Sequence, residues 1–466
     1  MVIPALEFDM VSVSVQNGCM ANTSETTKQQ KKTSSVRHTR AIQRDRSKRP
    51  NVAPPDEQIA ERLTEIVHPA TLAQVALFHR LGLRERVLNL PVMVALVLSM
   101  VWRQVGEVTE LAKMLSTEGL LWAEPRRVSQ QALSERFRTF PAILFLRVLE
   151  AILPLMQARW QSRQRPLPPE IAWAQEHYTD VLVQDGSTLD ALRKVGLLRE
   201  SEKNPLAGRM TALLDLCSRL PRHIWYEEEA QAHDQRFWPR ILAVLKAGSL
   251  LIFDLGYTNF AVYAQLTAVH ITFITRAKSN LAYEVERYLR RTAQVHEALV
   301  WIGKGDDRQL VRLIQVLYKG KWYRYLTNEL DPERLPAPYV VALYWQRWRI
   351  EDAYNIVRRL LGLAYFWVGS QNGVALQLWA TWLLYAVLVD LTDAVAERLN
   401  KPFAALSLEM VYRSLYYFAT AYHRGETTDP VACLADNASW LGVLKRKRKH
   451  RLSPLALFGL TNLSDP

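Results

Sequence analysis

The sequence predicts a mixed α/β core with flanking helices, preceded by a helical region and interrupted by a β-rich stretch. Three observations predict it. Between residues 181 and 275 short apolar strands alternate with helical segments. On either side of that block, over 56–160 and from Pro336 past Leu361, apolar residues recur at helical spacing. Between the core's two parts, 298–302 and 309–317 read as strands, and Tyr318-Lys319-Gly320-Lys321 turns into a further strand over 322–326, the pattern of a β-hairpin.

The elements follow in order. Residues 1–54 are polar, basic and Ser/Thr-rich and end on Pro50, Pro54 and Pro55, so they read as a disordered tail. Residues 55–165 read as helical: Leu63, Ile66, Val67 and Leu72 begin the periodicity, and 140–156 gives another apolar helix. Within this region VSQQALSERFRTF, from Val128, offers a Ser N-cap and a polar, basic face. It fits a DNA-reading helix and an ordinary surface helix equally well. Residues 163–170, RQRPLPPE, carry three prolines and read as a linker.

A first core segment spans 170–280. A strand over 181–183 runs into Gln184-Asp185-Gly186, strands follow at 210–217 and 223–225, then a helix over 235–246. The buried strand 250–253 runs into Asp254-Leu255-Gly256, a helix covers 257–269, and a strand 270–275. The β-rich stretch 281–335 interrupts, the core resumes over 336–400, and 401–466 is a helical C-terminal region with a basic tail. Residues 374–389 are strongly apolar, but that stretch is only 16 residues long and contains Gln377 and Thr381. A membrane span needs about 20 residues, so this is expected to be a buried helix, with no membrane partner. There is no internal repeat.

Composition narrows the function. The chain has 466 residues, 49% of them hydrophobic, and a formal charge of +13. The whole excess sits in two runs: nine Lys/Arg against one acid over 28–49, and six Lys/Arg with no acid over 445–451, beginning Lys445, Arg446, Lys447 and Arg448. Such runs neutralise phosphates without reading sequence, or remain solvated tails. Cys19, Cys217 and Cys433 are far apart, which argues against a zinc site or a disulfide framework and fits a reducing compartment. The start lacks a basic n-region, so a cytoplasmic location is expected. No Walker A pattern, dinucleotide fingerprint or Gly-x-Ser-x-Gly occurs.

Asp185 and Asp254 share one context: each ends an apolar strand and is followed by Gly, directly or one residue on. A carboxylate there lies at the mouth of an α/β sheet, where ligands bind. Asp is also an ordinary turn residue. A third piece weighs against turn chemistry alone. In YWQRWRIEDAYNIVRR, the residues Tyr344, Arg347, Glu351 and Arg358 fall within about 60° of one another on a helix. Leu343, Ile350, Tyr354, Val357 and Leu361 form an apolar stripe beside them. A surface helix with incidental Arg/Glu pairs would have no reason to align a Tyr and two Arg with one Glu on a core-bordering stripe. Three carboxylates suit two-metal phosphodiester chemistry, in which hard Mg²⁺ ions take carboxylate and phosphate oxygens. Arg and Tyr beside them suit phosphate oxygens.

With these residues in place, the sequence resembles the DDE transposases of the insertion-sequence-four branch. That branch carries Tyr, two residues, Arg, three residues, Glu, six residues, Lys on the helix of its third carboxylate. Tyr344, Arg347 and Glu351 fit at that spacing, and Arg358 stands where the branch has Lys. VQDGSTL around Asp185 and FDLGY around Asp254 resemble the two aspartate motifs, although Leu255 stands where many relatives have Arg. Thr327-Asn328, ahead of the last helix, also resembles the family, and the likeness runs over about residues 60–420. The resemblance implies a ribonuclease-H-like mixed sheet at 170–280 and 336–400, and a DNA-binding role for 55–165. It implies Asp185, Asp254 and Glu351 as catalytic metal ligands for two Mg²⁺ ions, with Mn²⁺ able to substitute. The implied partners are double-stranded transposon ends and target DNA, bound by a homodimer, and the implied course is cut-and-paste joining of 3′ ends. An insertion such as 281–335 would supply a Trp that stacks on a flipped base, for which Trp301 and Trp322 are the candidates. Two alternatives stay open: a fold that has lost catalysis and only binds DNA, and a ribonuclease-H-like nuclease without a joining step.

Overall fold

The computed structural model describes residues 57–189, 207–230, 232–363, 366–367 and 369–445. The basic run at 28–49 and residues Arg446, Lys447 and Arg448 lie outside them.

The strands are short, four to ten residues each, and most of them are rich in apolar residues. In chain order they are β1 (Val181–Thr188), β2 (Arg209–Asp215), β3 (Pro221–Glu227), β4 (Leu250–Phe253), β5 (Thr272–Arg276), β6 (Glu284–Arg291), β7 (Val295–Ile302), β8 (Gln309–Tyr318) and β9 (Lys321–Thr327). They join one sheet in the order β3-β2-β1-β4-β5-β9-β8-β7-β6. β1, β2 and β3 pair antiparallel, β1, β4 and β5 run parallel, and the last four strands pair antiparallel. The 281–335 stretch therefore extends the core sheet, joined to it at β5–β9 by the three pairs Ile274↔Thr327, Thr275↔Leu326 and Arg276↔Tyr325. The hairpin turn at Lys319-Gly320 forms as expected, with both φ angles positive at 48° and 73°, as a tight hairpin turn requires. Strand β6 gave no alternating signal in the sequence, because EVERYLRR is almost wholly exposed.

Alternation along the strands gives the sheet two apolar faces. Leu182, Leu251, Phe253 and Phe273 point to one side, where Phe237, Trp238, Ile241, Tyr263 and Leu266 cover them. Val183, Leu250, Ile252 and Ile274 point to the other, into a larger core. The covering helices, among the described residues, are α1 (Glu57–Leu72), α2 (Val75–Arg80), α3 (Leu90–Trp102), α4 (Val108–Thr117), α5 (Gln130–Thr139), α6 (Ile143–Ser162), α7 (Pro169–His177), α8 (Trp238–Leu242) and α9 (Phe260–Ala268). After the sheet come α10 (Ala337–Trp345), α11 (Trp348–Asn355), α12 (Gln371–Arg398), α13 (Leu408–His423) and α14 (Pro430–Asp436). Ser129 caps α5, its hydroxyl accepting from Ala132 N at 3.1 Å. The helix expected over 257–269 is shorter: a 3₁₀ turn takes Leu255–Tyr257 and α9 starts after Asn259, whose side chain accepts from Val262 N.

The apolar stretch 374–389 lies within α12, which by length and composition alone could cross a membrane. Here 94% of its most apolar window is buried inside the protein, against α3, α6, α13 and α14. Its two buried acids, Asp390 and Asp393, meet the segment expected to be a linker. Arg163 donates to Asp390 Oδ1 at 2.7 Å and to Asp393 Oδ2 at 3.1 Å, and Arg165 pairs with Asp393 at 2.5 Å.

Candidate active site

Parallel strands β1 and β4 carry Asp185 and Asp254 at adjacent positions, because Gln184 pairs with Phe253 in register. The third carboxylate arrives on the helix that crosses β1. The sequence predicts one helix from Pro336 past Leu361, and the structure breaks it. α10 ends at Trp345, a turn takes Gln346 and Arg347, α11 resumes at Trp348, and Ile356–Leu360 closes in a wider π turn. Around the break the amides of Arg347, Arg349 and Ile350 bond to carbonyls three residues back rather than four, which tightens the chain.

The expected stripe still converges. Tyr344 OH donates to Asp254 Oδ1 at 3.3 Å. Arg347 stands between the other two carboxylates, with Nη1 at 3.2 Å from Asp185 Oδ2 and Nη2 at 3.1 Å from Glu351 Oε1. Arg358 Nη1 donates to Ser187 Oγ at 3.3 Å, beyond Asp185 on β1. Asp185 is fixed from its own backbone too: Gly186 N donates to Asp185 Oδ1 at 2.8 Å.

Burial pushes the Asp185 carboxyl up to about 6; Arg347 and the Gly186 amide oppose this, while Asp254 and Glu351 add to it. Burial also raises Glu351, again opposed by Arg347 and supported by Asp254. Burial works against the Arg347 charge, but Tyr344, Asp254, Asp185 and Glu351 outweigh it and hold the guanidinium above its ordinary value. The centre is thus a knot of three carboxylates compensated by one buried arginine. Among the described residues no three Asp, Glu, His or Cys side chains stand close enough together to hold a metal ion. The donor chemistry nevertheless suits a hard divalent cation. It is all carboxylate oxygen, and Asp185, raised first by burial, is raised further by the neighbouring negative charges that such a cation offsets.

Several residues at this centre gave no separate sequence signal. Tyr354 reads as part of the apolar stripe, yet its OH donates to Asp185 O at 2.6 Å and accepts from Ala212 N at 3.1 Å. Its place three residues after Glu351 was the available clue. Asp254 follows the end of β4, but β1 continues past Asp185 to Thr188, contrary to the expectation that its strand ends there; Arg276 ends β5, and its guanidinium lies 5.5 Å from the Tyr323 ring. Trp348 is 57% exposed beside the Arg347 guanidinium, 5.2 Å from its ring centre. Asp234 and Arg209 form an ion pair beside Gly186, and nothing in their spacing announces it.

The other candidates lie apart from the carboxylates. Trp322, near the β8–β9 turn, pairs with Leu317 beyond the level of Arg276, toward the end of the sheet that carries Asp185 and Asp254. It is 39% exposed and stacks on His296 at 4.5 Å. Trp301 pairs with Leu310, on the other side of the Arg312↔Thr327 rung and so toward the opposite end of the sheet. Its indole donates to Glu286 at 2.8 Å and Arg308 lies over its ring at 4.6 Å. Lys445 is tied to Ala404 O at 3.1 Å, among the C-terminal elements.

Residues 201–387 match the family model of the transposase DDE domain. The match contains Asp254 and Glu351 and begins past Asp185. Over 168 residues the chain is 30% identical to a protein of Sinorhizobium fredii named "Putative transposase y4zB". That alignment takes in 34% of this chain and 45% of that protein, so the similarity spans about half of the relative's length. Both findings support a DDE transposase. Among solved structures, a piggyBac transposase synaptic complex with hairpin DNA aligns over 86% of this chain and 87% of its own, at 11% identity and a TM-score of 0.38, a value that does not establish a shared fold.

Proposed function

We propose that the chain is a metal-dependent DNA transposase of the insertion-sequence-four branch, built on a ribonuclease-H-like core. The observation that carries this reading is the bridging of Asp185 and Glu351 by Arg347, with Asp254 held by Tyr344 from the preceding turn. The order β3-β2-β1-β4-β5, three antiparallel strands followed by two parallel to β1, supports the ribonuclease-H-like reading. Its substrates are double-stranded transposon ends and target DNA, its course is cut-and-paste joining of 3′ ends, and it works as a homodimer. The reading places it in the cytoplasm of a bacterium, at the nucleoid.

Asp185, Asp254 and Glu351 are the residues that would hold two Mg²⁺ ions, or Mn²⁺ in their place. When bound, the metal supplies charge stabilisation at the attacking and leaving oxygens. The chain's own residues do the rest. Arg347, whose fork spans Asp185 and Glu351, is placed to donate to a non-bridging phosphate oxygen. Tyr344 keeps Asp254 oriented through its hydroxyl. Arg358 beside Ser187 grips a backbone phosphate; its forked guanidinium replaces the compact ammonium of relatives and shifts positioning more than charge. Residues 446–448, with Lys445, attract DNA in bulk.

The test is nicking of DNA carrying the element's own ends. Asp185→Asn and Glu351→Gln are expected to lower nicking in Mg²⁺ by at least about a thousandfold while end binding stays within a few-fold of wild type. A variant that cuts at the wild-type rate removes that carboxylate from the assignment. A wild-type chain that binds ends but never nicks in Mg²⁺ or Mn²⁺ favours the DNA-binding alternative, and nicking without strand joining favours the nuclease.

A further inference from the structure

Both aspartates are followed by a glycine, and both glycines face one carboxylate that the proposed chemistry does not use. At Gly186 an added Cβ would collide with Asp234 Oδ1, and would come within 2.9 Å of Arg209 Nη2 and 3.1 Å of Tyr257 OH. At Gly256 an added Cβ would meet Asp234 Oδ2 at 3.6 Å, ordinary contact. Asp234 therefore lies between β1 at Gly186 and the turn that follows Asp254, one oxygen toward each.

Its partners hold it there. Arg209 donates to Asp234 Oδ1 from Nε at 2.8 Å and also from Nη2. The same guanidinium reaches Thr188 Oγ1 on β1 at 3.1 Å. Tyr257, one residue past Gly256, donates its OH to Asp234 Oδ1 at 3.3 Å. Arg209 stands on β2 directly opposite Thr188, so the ion pair is anchored to the strand it braces. On the opposite side of β1, Tyr354 OH bonds to Asp185 O. The Asp185–Gly186 peptide is gripped from two sides: by α11 through Tyr354, and by Asp234 against the bare Cα of Gly186. Arg209 neutralises Asp234, so the fourth carboxylate adds structure without adding an uncompensated charge.

We propose that Asp234 is a positioning residue that sets the separation of Asp185 and Asp254, and that Gly186 is a glycine so that the Asp234 carboxylate can approach β1. This rests on the reading of the two aspartates as metal ligands. Groups that orient ligands in this way commonly matter about 10–100-fold in metal affinity.

The experiment uses the full chain, Mn²⁺ as the probe read by electron paramagnetic resonance without DNA, and thermal melting. Asp234→Asn keeps the shape and loses the charge. It is expected to weaken Mn²⁺ binding about tenfold or more while the protein remains folded, and Asp234→Glu to recover less than Asp234→Asn loses. Wild-type Mn²⁺ affinity in Asp234→Asn overturns the proposal. A double-mutant cycle tests the same placement without metal. Gly186→Ala lowers the melting temperature, and much less so in the Asp234→Ala background. Additive effects overturn the proposal whether or not Mn²⁺ binds. Absence of Mn²⁺ binding by wild type, with the cycle still coupled, removes the metal reading and leaves Asp234 as the brace between β1 and the turn after Asp254.

Discussion

At the residue scale the centre holds charges that burial disfavours, and this has a consequence in the absence of metal. Asp185 keeps its proton in the folded state up to about 6, whereas its ordinary value is 3.8. Between those two values the folded chain binds more protons than the unfolded one, so stability falls as pH rises through that window. Above it the full penalty stands, about 1–3 kcal/mol. In chelator, Asp185→Asn is expected to melt above wild type near neutral pH, with the gap closing toward about pH 4; part of the gain is offset by the contact Arg347 loses. Equal melting at neutral pH would show that Arg347 alone already cancels the burial cost. Divalent cation is expected to raise wild type and leave Asp185→Asn unmoved.

At the element scale, what was legible in the sequence followed from periodicity. The strands leading into Asp185 and Asp254, the β8–β9 hairpin and the Ser129-capped helix could all be read there, because alternation, a Lys-Gly turn and an N-cap are local signals. The helix break at Gln346–Arg347 was not, since no Pro or Gly marks it; the geometry of Arg347 between two carboxylates accompanies it. Asp234 was invisible for a different reason: its partners are 25 and 23 residues away in sequence, so only the folded sheet unites them. The 163–170 segment misleads in the opposite direction. Its prolines suggest a loose connection, yet its arginines are bound to Asp390 and Asp393, whose side chains are 1% exposed. Removing one partner of such a pair leaves an uncompensated buried charge. Asp393→Ala is expected to cost about 3–5 kcal/mol in chemical denaturation; a loss below about 1 kcal/mol would mean that water replaces the carboxylate. The two tryptophans separate in the same way. With 2-aminopurine opposite the cleavage site, Trp322→Ala is expected to reduce the signal of an unstacked base, worth about 1–3 kcal/mol of stacking, and Trp301→Ala to leave it unchanged. The reverse result would move DNA to the other end of the sheet.

For the whole molecule, charge is segregated from chemistry. The two basic runs hold the net excess, and the remainder of the chain is close to neutral. Replacing the six Lys/Arg of 445–451 with Gln is expected to flatten the dependence of log affinity on log salt by up to about 5, with nicking at saturating DNA little changed. An unchanged slope would relocate the phosphate contacts to the folded surface. The central helix α12 carries a consequence in time. Its partners α3 and α6 are synthesised long before it, separated from it by the entire sheet. At about 5–20 residues per second, the roughly two hundred residues between α6 and α12 take on the order of 10–40 s to emerge. During that interval the early helices have made their apolar faces but not met the surface that covers them, and Arg163 and Arg165 have no acids to bind. The carboxylate centre waits in the same way: Glu351 arrives on the crossing helix 97 residues after Asp254 and 166 after Asp185, so the two aspartates stand on the sheet before their third partner exists.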